Sequence, residues 1–307
     1  MLFEILLLII GLALLVKFSD YTIKNCVKLS KLTGISQIAI GFILIAVATS
    51  LPELTIAITS SVEGEGILSF GNLVGANISN LALIFGLVAI SGFTISRKEF
   101  DEIADAIIVT SVIAIFLFFL GFADAVFGLF CLILFFMFSD IVMKSGIKIK
   151  NYKTNLKTPE IVKSIAFVLV SVAFVIIGAY ITTNSALNLA RIFGMAETAI
   201  GGTILAIGTT LPELSVGIAA IRKRNVDLAI GDGIGSIVTN LTLILGIASI
   251  IHPITFESVT NILLISLIVI NIIFLFLARR LKFGKKEGII LILIYVVYLF
   301  VIFSSAL

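Results

Sequence analysis

The sequence predicts an all-α polytopic membrane protein: ten transmembrane helices in two inverted-topology repeats of five, with broken helices at the midplane. Three observations lead there. Apolar residues make up 60% of the 307 residues and charged residues 13%, with a mean hydropathy of +1.26, more apolar surface than a soluble fold can hide. One short stretch occurs twice, Ala48-Thr49-Ser50-Leu51-Pro52-Glu53-Leu54 and, 160 residues later, Gly208-Thr209-Thr210-Leu211-Pro212-Glu213-Leu214. Finally, the positive charges fall almost entirely on one side of the expected membrane crossings.

In chain order, the apolar runs of membrane-crossing length, about 17 to 25 residues each, are 2–18, 36–60, 67–91, 103–122, 125–142, 161–180, 198–221, 228–251, 259–277 and 288–306. The first lacks a basic leader and a small-residue cleavage site, so it reads as a span rather than a removed signal. Counting connections alternately, one side receives Lys17, Lys24, Lys28, Lys31, Arg97, Lys98, Lys144, Lys148, Lys150, Lys153, Lys157 and Lys163. The same side takes Arg222, Lys223, Arg224, Arg279, Arg280, Lys282, Lys285 and Lys286, leaving only Arg191 opposite. The bias places those connections in the cytoplasm and both termini outside, and a missed or invented span would scramble it.

The longest connection, the basic stretch 144–160, separates a first five-helix repeat (1–143) from a second (161–307). It reads as a solvated linker. Cys26 and Cys131 differ in setting and read as two unpaired thiols. Glu4, Asp20, Asp105, Asp124 and Asp140 lie near span ends and read as interfacial; His252, beside Pro253, reads as a loop residue. The 25 Phe residues, with no Trp, read mostly as lipid-facing surface.

Segment 41–86 aligns with 201–246 without a gap, matching Gly41/Gly201, Ala46/Ala206, Thr49/Thr209, Leu-Pro-Glu-Leu at 51–54 and 211–214, Gly71/Gly231, Gly75/Gly235, Asn80/Asn240 and Gly86/Gly246. This is an internal duplication. With five spans per half, the second copy enters the membrane from the opposite side, an arrangement that places a binding site near the midplane where the repeats meet.

Thr49 and Ser50 lie four and three residues before Glu53, one helical face that gathers hydroxyls with a carboxylate. Pro52 breaks the helix and frees carbonyls around Ala46 to Ala48, irregular backbone that a bilayer tolerates only where it is buried or lines a cavity. The segments 71–80 and 231–240 supply glycines for close approach, and Ser236 and Asn240 share a face. A proline can be a plain kink and glycines plain packing, but packing gives no reason for an embedded glutamate at two equivalent positions, Glu53 and Glu213. The donors are all oxygen, which selects hard cations; calcium suits a flexible oxygen cage whose charge two glutamates neutralise, and magnesium dehydrates too reluctantly.

The Thr-(Ser/Thr)-Leu-Pro-Glu cores, each followed by Gly-(Asn/Asp)-x-x-Gly-(Ala/Ser)-x-x-x-Asn, resemble the alpha-repeats of the calcium/cation antiporter superfamily, most nearly those of prokaryotic sodium/calcium exchangers. The resemblance covers the whole chain in span count, repeat order and linker position. It implies ten helices in two inverted five-helix repeats, with a central calcium site on Glu53 and Glu213 and the backbone oxygens of Thr49 and Thr209. It implies sodium sites drawing on Ser50, Thr210, Ser236, Asn80, Asn240 and the carbonyls of Ala46 and Ala206. It also marks the first and sixth spans as the moving pair.

The chain departs from that pattern in three places: Ala76 stands where members often carry Ser, Asn240 where potassium-dependent and some prokaryotic relatives carry Asp, and Asp232 where Asn is usual. An amide at 240 argues against potassium co-transport. Ala-Thr-Ser and Gly-Thr-Thr replace the Gly-Asn-Ala of the proton-coupled branch, which favours sodium. The resulting expectation is a secondary antiporter, not an enzyme, exchanging Ca2+ for Na+ by alternating access in a plasma membrane. It carries no cofactor, meets no nucleic acid and works as a monomer among lipids. Proton/calcium exchange is the alternative, with protons as the partner ion, and a calcium channel the more distant one.

Overall fold

The structure, a computed structural model, describes residues 1–92, 97–146, 158–193, 206–256, 258–279 and 284–305. Nearly all of these are helical. Helix α1 spans Leu2–Thr33, well past the expected end at residue 18. Residues 19–33 hold no proline or glycine, and their lysines are good helix formers, so the helix continues until Gly34, whose left-handed backbone (φ 73°) caps it with a hydrogen bond to Ser30 O. The second expected span is broken. Helix α2 (Gln37–Ile40) runs through a π-helical stretch, Gly41–Ala46, into α3 (Val47–Thr49), and α4 (Leu51–Val62) leaves at 45° after the break. Pro52 opens α4, where its missing N–H is harmless.

Helix α5 (Gly66–Ser79) passes through a second π-helical stretch, Asn80–Ile84, into α6 (Phe85–Ile90). Helix α7 spans Arg97–Leu120 and stops one residue before Gly121 (φ 73°), so Phe122 belongs not to a helix, as expected, but to the two-residue strand β1, Phe122–Ala123. Then follow α8 (Ala125–Gly146) and α9 (Thr158–Ile192), a 35-residue helix against an expected span of 161–180. These helices absorb both ends of the expected linker 144–160; residues 147–157 lie outside the described residues.

The second copy shows α10 (Ala206–Thr209), α11 (Leu211–Arg222), α12 (Val226–Val238), a π-helical stretch Thr239–Ile244 and α13 (Leu245–Ile251). Strand β2 (Ile254–Thr255), α14 (Ser258–Ala278) and α15 (Lys285–Ser305) complete it. The expected start of the seventh span, with Gly201, lies outside the described residues, as does residue 306. Among the described residues seven helices are long and apolar enough to cross a membrane, or eight if the bent pair at 37–62 counts as one.

Within lipid no hydrophobic force drives helix on helix, so association rests on close packing of small residues. Helices α1 and α9 lie antiparallel, with Thr22 donating to Ser171 Oγ at 2.9 Å and Phe18 stacked on Phe174 at 4.3 Å. Gly11 and Gly178 meet between them; a Cβ on Gly178 would lie 3.1 Å from Gly11 O. In the most apolar stretches of 69–90 and 226–251, 78% of residues are buried, against 17% for α1, so the broken and π-containing helices form the core and α1 its periphery. Helix α12 presses Gly231 and Gly235 onto the 38–46 segment, where a Cβ on Gly235 would come to 2.7 Å from Phe42 O. Phe42, Phe70, Phe85 and Phe274 are fully buried, exceptions to the mostly lipid-facing expectation that exposed residues such as Phe119 and Phe300 meet.

Contacts recur at the 160-residue offset. Gly128 packs on Gly246, and their equivalents 160 residues on and back, Gly288 and Gly86, pack on each other. The turns after α4 and α11 are superimposable in their hydrogen bonds: Glu65 N donates to Ser60 O and Asn225 N to Ala220 O. Each places a left-handed residue at the same point, Gly64 (φ 81°) in one copy and Arg224 (φ 58°) in the other. The strands pair antiparallel, Phe122 with Thr255 and Ala123 with Ile254, bridging the two halves at one end.

Two substitutions test this packing by thermal unfolding in detergent. Gly235→Ala overpacks the α12 contact, an effect of about 1–3 kcal/mol, and is expected to lower the midpoint. Arg224→Gly removes a Cβ from a left-handed position worth about 1–2 kcal/mol and is expected to raise it.

Candidate functional site

The two Leu-Pro-Glu breaks bring buried carboxylates together. Glu53 and Glu213 each sit in the first turn of the helix that follows its break, each 1% exposed. They lie close enough to repel one another electrostatically. Both oxygens of Glu53 and Oε2 of Glu213 have no hydrogen-bond partner, and neither residue has a basic partner among the described residues. Thr49, Ser50, Thr209, Thr210, Ser236, Asn80 and Asn240 are all buried as well.

The hydroxyls converge differently from the expectation of one shared helical face. The break at Ser50 (φ −80°, ψ 11°) turns its side chain across the molecule, where Oγ donates to Glu213 Oε1 at 3.2 Å. Each glutamate is thus not served by the hydroxyls preceding it; the bond that forms joins one half to the other. Thr49 Oγ1 turns back on its own helix, toward Ile45 O (3.1 Å) and Ala46 O (3.3 Å), and reaches Asp232 Oδ1 at 3.5 Å. The Ala46 carbonyl is not freed by Pro52 as expected: it accepts from Ser50 N at 3.0 Å. Thr209 donates to Asn72 Oδ1 at 3.2 Å, and Thr210 to Ile207 O at 3.0 Å while accepting from Ser79. Ala206 opens α10.

Asn80 and Asn240 begin or lie within equivalent π-helical stretches. Such wider turns recur at functional sites because they shift the register of backbone and side chains. Asn240 Nδ2 donates to Asn77 Oδ1 at 3.0 Å, and Asn77 Nδ2 to Ile237 O at 3.0 Å. Asn240 therefore keeps its own Oδ1 unpartnered, as does Ser236 its Oγ and Thr239 its Oγ1. Asn77 was missed in the sequence because its equivalent 160 residues on is Ile237; repeat matching passes over it. The signal available was three asparagines, Asn72, Asn77 and Asn80, within one buried helical run.

Among the described residues no group of three or more His, Cys, Asp or Glu is placed to hold a metal. The described set is instead two carboxylates with hydroxyl and amide oxygens, the donor chemistry of hard cations. A buried carboxylate short of donors is costly unless a positive charge meets it; here Glu53 has no partner on either oxygen and Glu213 has Ser50 on one. Cys26 and Cys131 are both buried free thiols, and His252 is an exposed loop residue, as expected. Asp140 pairs with Lys144, and Asp124 caps α8 by accepting from Phe127 N.

Comparison with known proteins bears on this geometry. The chain is 30% identical over 364 aligned residues to the sodium/calcium exchanger MaX1 of Methanosarcina acetivorans, covering 97% of this chain and 98% of that one. It is 30% identical over 267 residues to the inner membrane protein YrbG of Escherichia coli, covering 82% and 81%. A solved structure of the sodium-calcium exchanger NCX_Mj, soaked with 10 mM Na+ and zero Ca2+, is 26% identical and superposes with a TM-score of 0.84 over 96% of this chain and 97% of that one. The family described as sodium/calcium exchanger protein matches residues 3–144 and again 163–304, two segments offset by the same 160 residues as the repeat. The chain therefore belongs to the sodium/calcium exchanger family.

Proposed function

We propose that this chain is a secondary active antiporter that exchanges Ca2+ for Na+ across a membrane by alternating access. One observation carries the reading: Glu53 and Glu213, one from each half, are buried together with three of their four carboxylate oxygens unpartnered. Two negative charges match one calcium ion, and the surrounding hydroxyls, amides and carbonyls can complete the six to eight oxygens that calcium takes. Several sodium ions offer the same charge through overlapping oxygens. In this reading calcium sits on Glu53 and Glu213 with the backbone oxygens of Thr49 and Thr209. Sodium draws on Ser50, Thr210, Ser236, Asn80, Asn240 and the carbonyls of Ala46 and Ala206.

Charge explains the coupling. Carrying two bare carboxylates through the occluded state costs several kcal/mol per ion, so the carrier reorients readily only with cations aboard. That links the outward step for one ion to the inward step for the other. The ten-span, inverted-repeat layout with halves 1–143 and 161–307 is supported by the recurrence of contacts at the 160-residue offset. The antiparallel α1–α9 pair, lying outside the core, is suited to slide as a unit. The basic stretches support a reading with 144–160 in the cytoplasm and the termini outside a plasma membrane; the working unit in this reading is the monomer.

The test is uptake of trace radioactive calcium by proteoliposomes loaded with sodium and diluted into sodium-free buffer. Sodium-loaded vesicles are expected to accumulate calcium, and potassium-loaded ones to remain at background; uptake driven only by an acid interior would replace sodium by protons in the reading. Glu53→Gln and Glu213→Gln are each expected to cut exchange by at least about 100-fold in protein that still elutes as a single folded species, since losing even an outer-shell partner of an ion costs about 10–100-fold. Ser50→Ala, which frees Glu213 Oε1, is expected to raise the calcium concentration for half-maximal uptake about tenfold. Full activity in either glutamine variant would overturn the assignment.

A further inference from the structure

Asp232 is a third buried carboxylate that the two-glutamate scheme does not use. It is 0% exposed on α12, within electrostatic reach of Glu213, and its Oδ2 has no partner. Its Oδ1 has only the 3.5 Å approach of Thr49 Oγ1. A hydroxyl carries one proton, and that of Thr49 has two closer acceptors in Ile45 O and Ala46 O. No full donor is left for the carboxylate.

The internal repeat supplies a control for what this position needs. The equivalents of Thr49 and Asp232 are Thr209 and Asn72, and they make the same contact, Thr209 donating to Asn72 Oδ1 at 3.2 Å. A neutral amide oxygen therefore suffices for the threonine. The negative charge at 232 adds something the packing does not require. One turn along the same face stands Ser236, fully buried with Oγ unpartnered, and one turn further Asn240 with Oδ1 unpartnered. The corresponding row in the first half reads Asn72, Ala76 and Asn80. One half thus offers carboxylate, hydroxyl and amide, the other amide, methyl and amide.

Resting on the antiport reading, we propose that Asp232 is the charged ligand of a one-sided monovalent cation subsite, completed by Ser236 Oγ and Thr49 Oγ1, that holds one sodium ion beside Glu213. The side-chain contact of Asp232 is Thr49 and not either glutamate, and among the described residues the three carboxylates do not form one group placed to hold a metal. A single carboxylate with neutral oxygens balances one positive charge, which favours sodium over calcium there. The loss of the hydroxyl at Ala76 is offset by added charge in the other half.

The experiment is thermal unfolding of the purified full chain in detergent, titrated with NaCl or CaCl2 at constant ionic strength with choline chloride. Asp232→Asn copies Asn72 and keeps an acceptor for Thr49. It is expected to leave calcium stabilisation in place while raising the sodium concentration for half-maximal stabilisation about tenfold. Should that variant fold poorly, the exchange Asn72→Asp with Asp232→Asn restores the charge count and still places an amide beside Ser236; its sodium requirement is expected to stay raised. Wild-type sodium dependence in either variant overturns the proposal, as does a change confined to pH dependence. Sodium binding lost in Asp232→Asn from a wild type that exchanges no calcium would remove the antiport reading and leave the subsite standing.

Discussion

The structure depends on one constraint: negative charge held in a low-dielectric interior with no basic residue among the described ones to meet it. Everything around Glu53 and Glu213 follows from accommodating that charge. The helix breaks at Ser50 and Thr210 set each glutamate at a helix start, where first-turn N–H groups and the positive end of the helix dipole favour a carboxylate. The π-helical stretches place Asn80 and Asn240 with polar groups left over. The glycines of α12 let the two broken elements approach until a hydroxyl of one half reaches a carboxylate of the other. None of these features would stabilise an apolar bundle; each makes sense around a cation.

Much of this was legible in the sequence. Glu53 and Glu213 stand out because a carboxylate in an apolar run has few structural uses, and the duplication makes the coincidence hard to dismiss. The long apolar helices were legible for the same reason that lipid demands them. What the sequence concealed were contacts made between halves. Thr49, Ser50 and Glu53 share a face only on an unbroken helix; the very proline that marks the site destroys that geometry, and Ser50 turns to Glu213 instead. Helix ends were also hidden. The lysines of α1 read as a loop by hydropathy, yet they propagate a helix well, so the end waits for Gly34. The short β1–β2 bridge and the role of Asn77 likewise depend on residues far apart in the chain.

Comparing the halves is informative where they disagree. Asn72 and Asp232 meet equivalent threonines, and the difference of one charge isolates function from packing within a single molecule. Gly64 and Arg224 do the converse: the backbone conformation is kept while the residue is not, so the turn geometry is fixed by the hydrogen bonds on either side and Arg224 tolerates it.

The reciprocal crossings, α8 on α13 through Gly128 and Gly246 and α15 on α6 through Gly288 and Gly86, pack the last long helix of each sequence half against the other half. Helix α14 reaches α7 in the same manner, Asn271 donating to Ser111 at 2.8 Å. During synthesis the helices of the first half therefore wait in the bilayer with part of their docking surface uncovered until the last helix has been inserted. Assembly of this protein is a late, whole-chain event. A severed first half would be an unfinished surface, and two halves made as separate chains would have what they need to find each other.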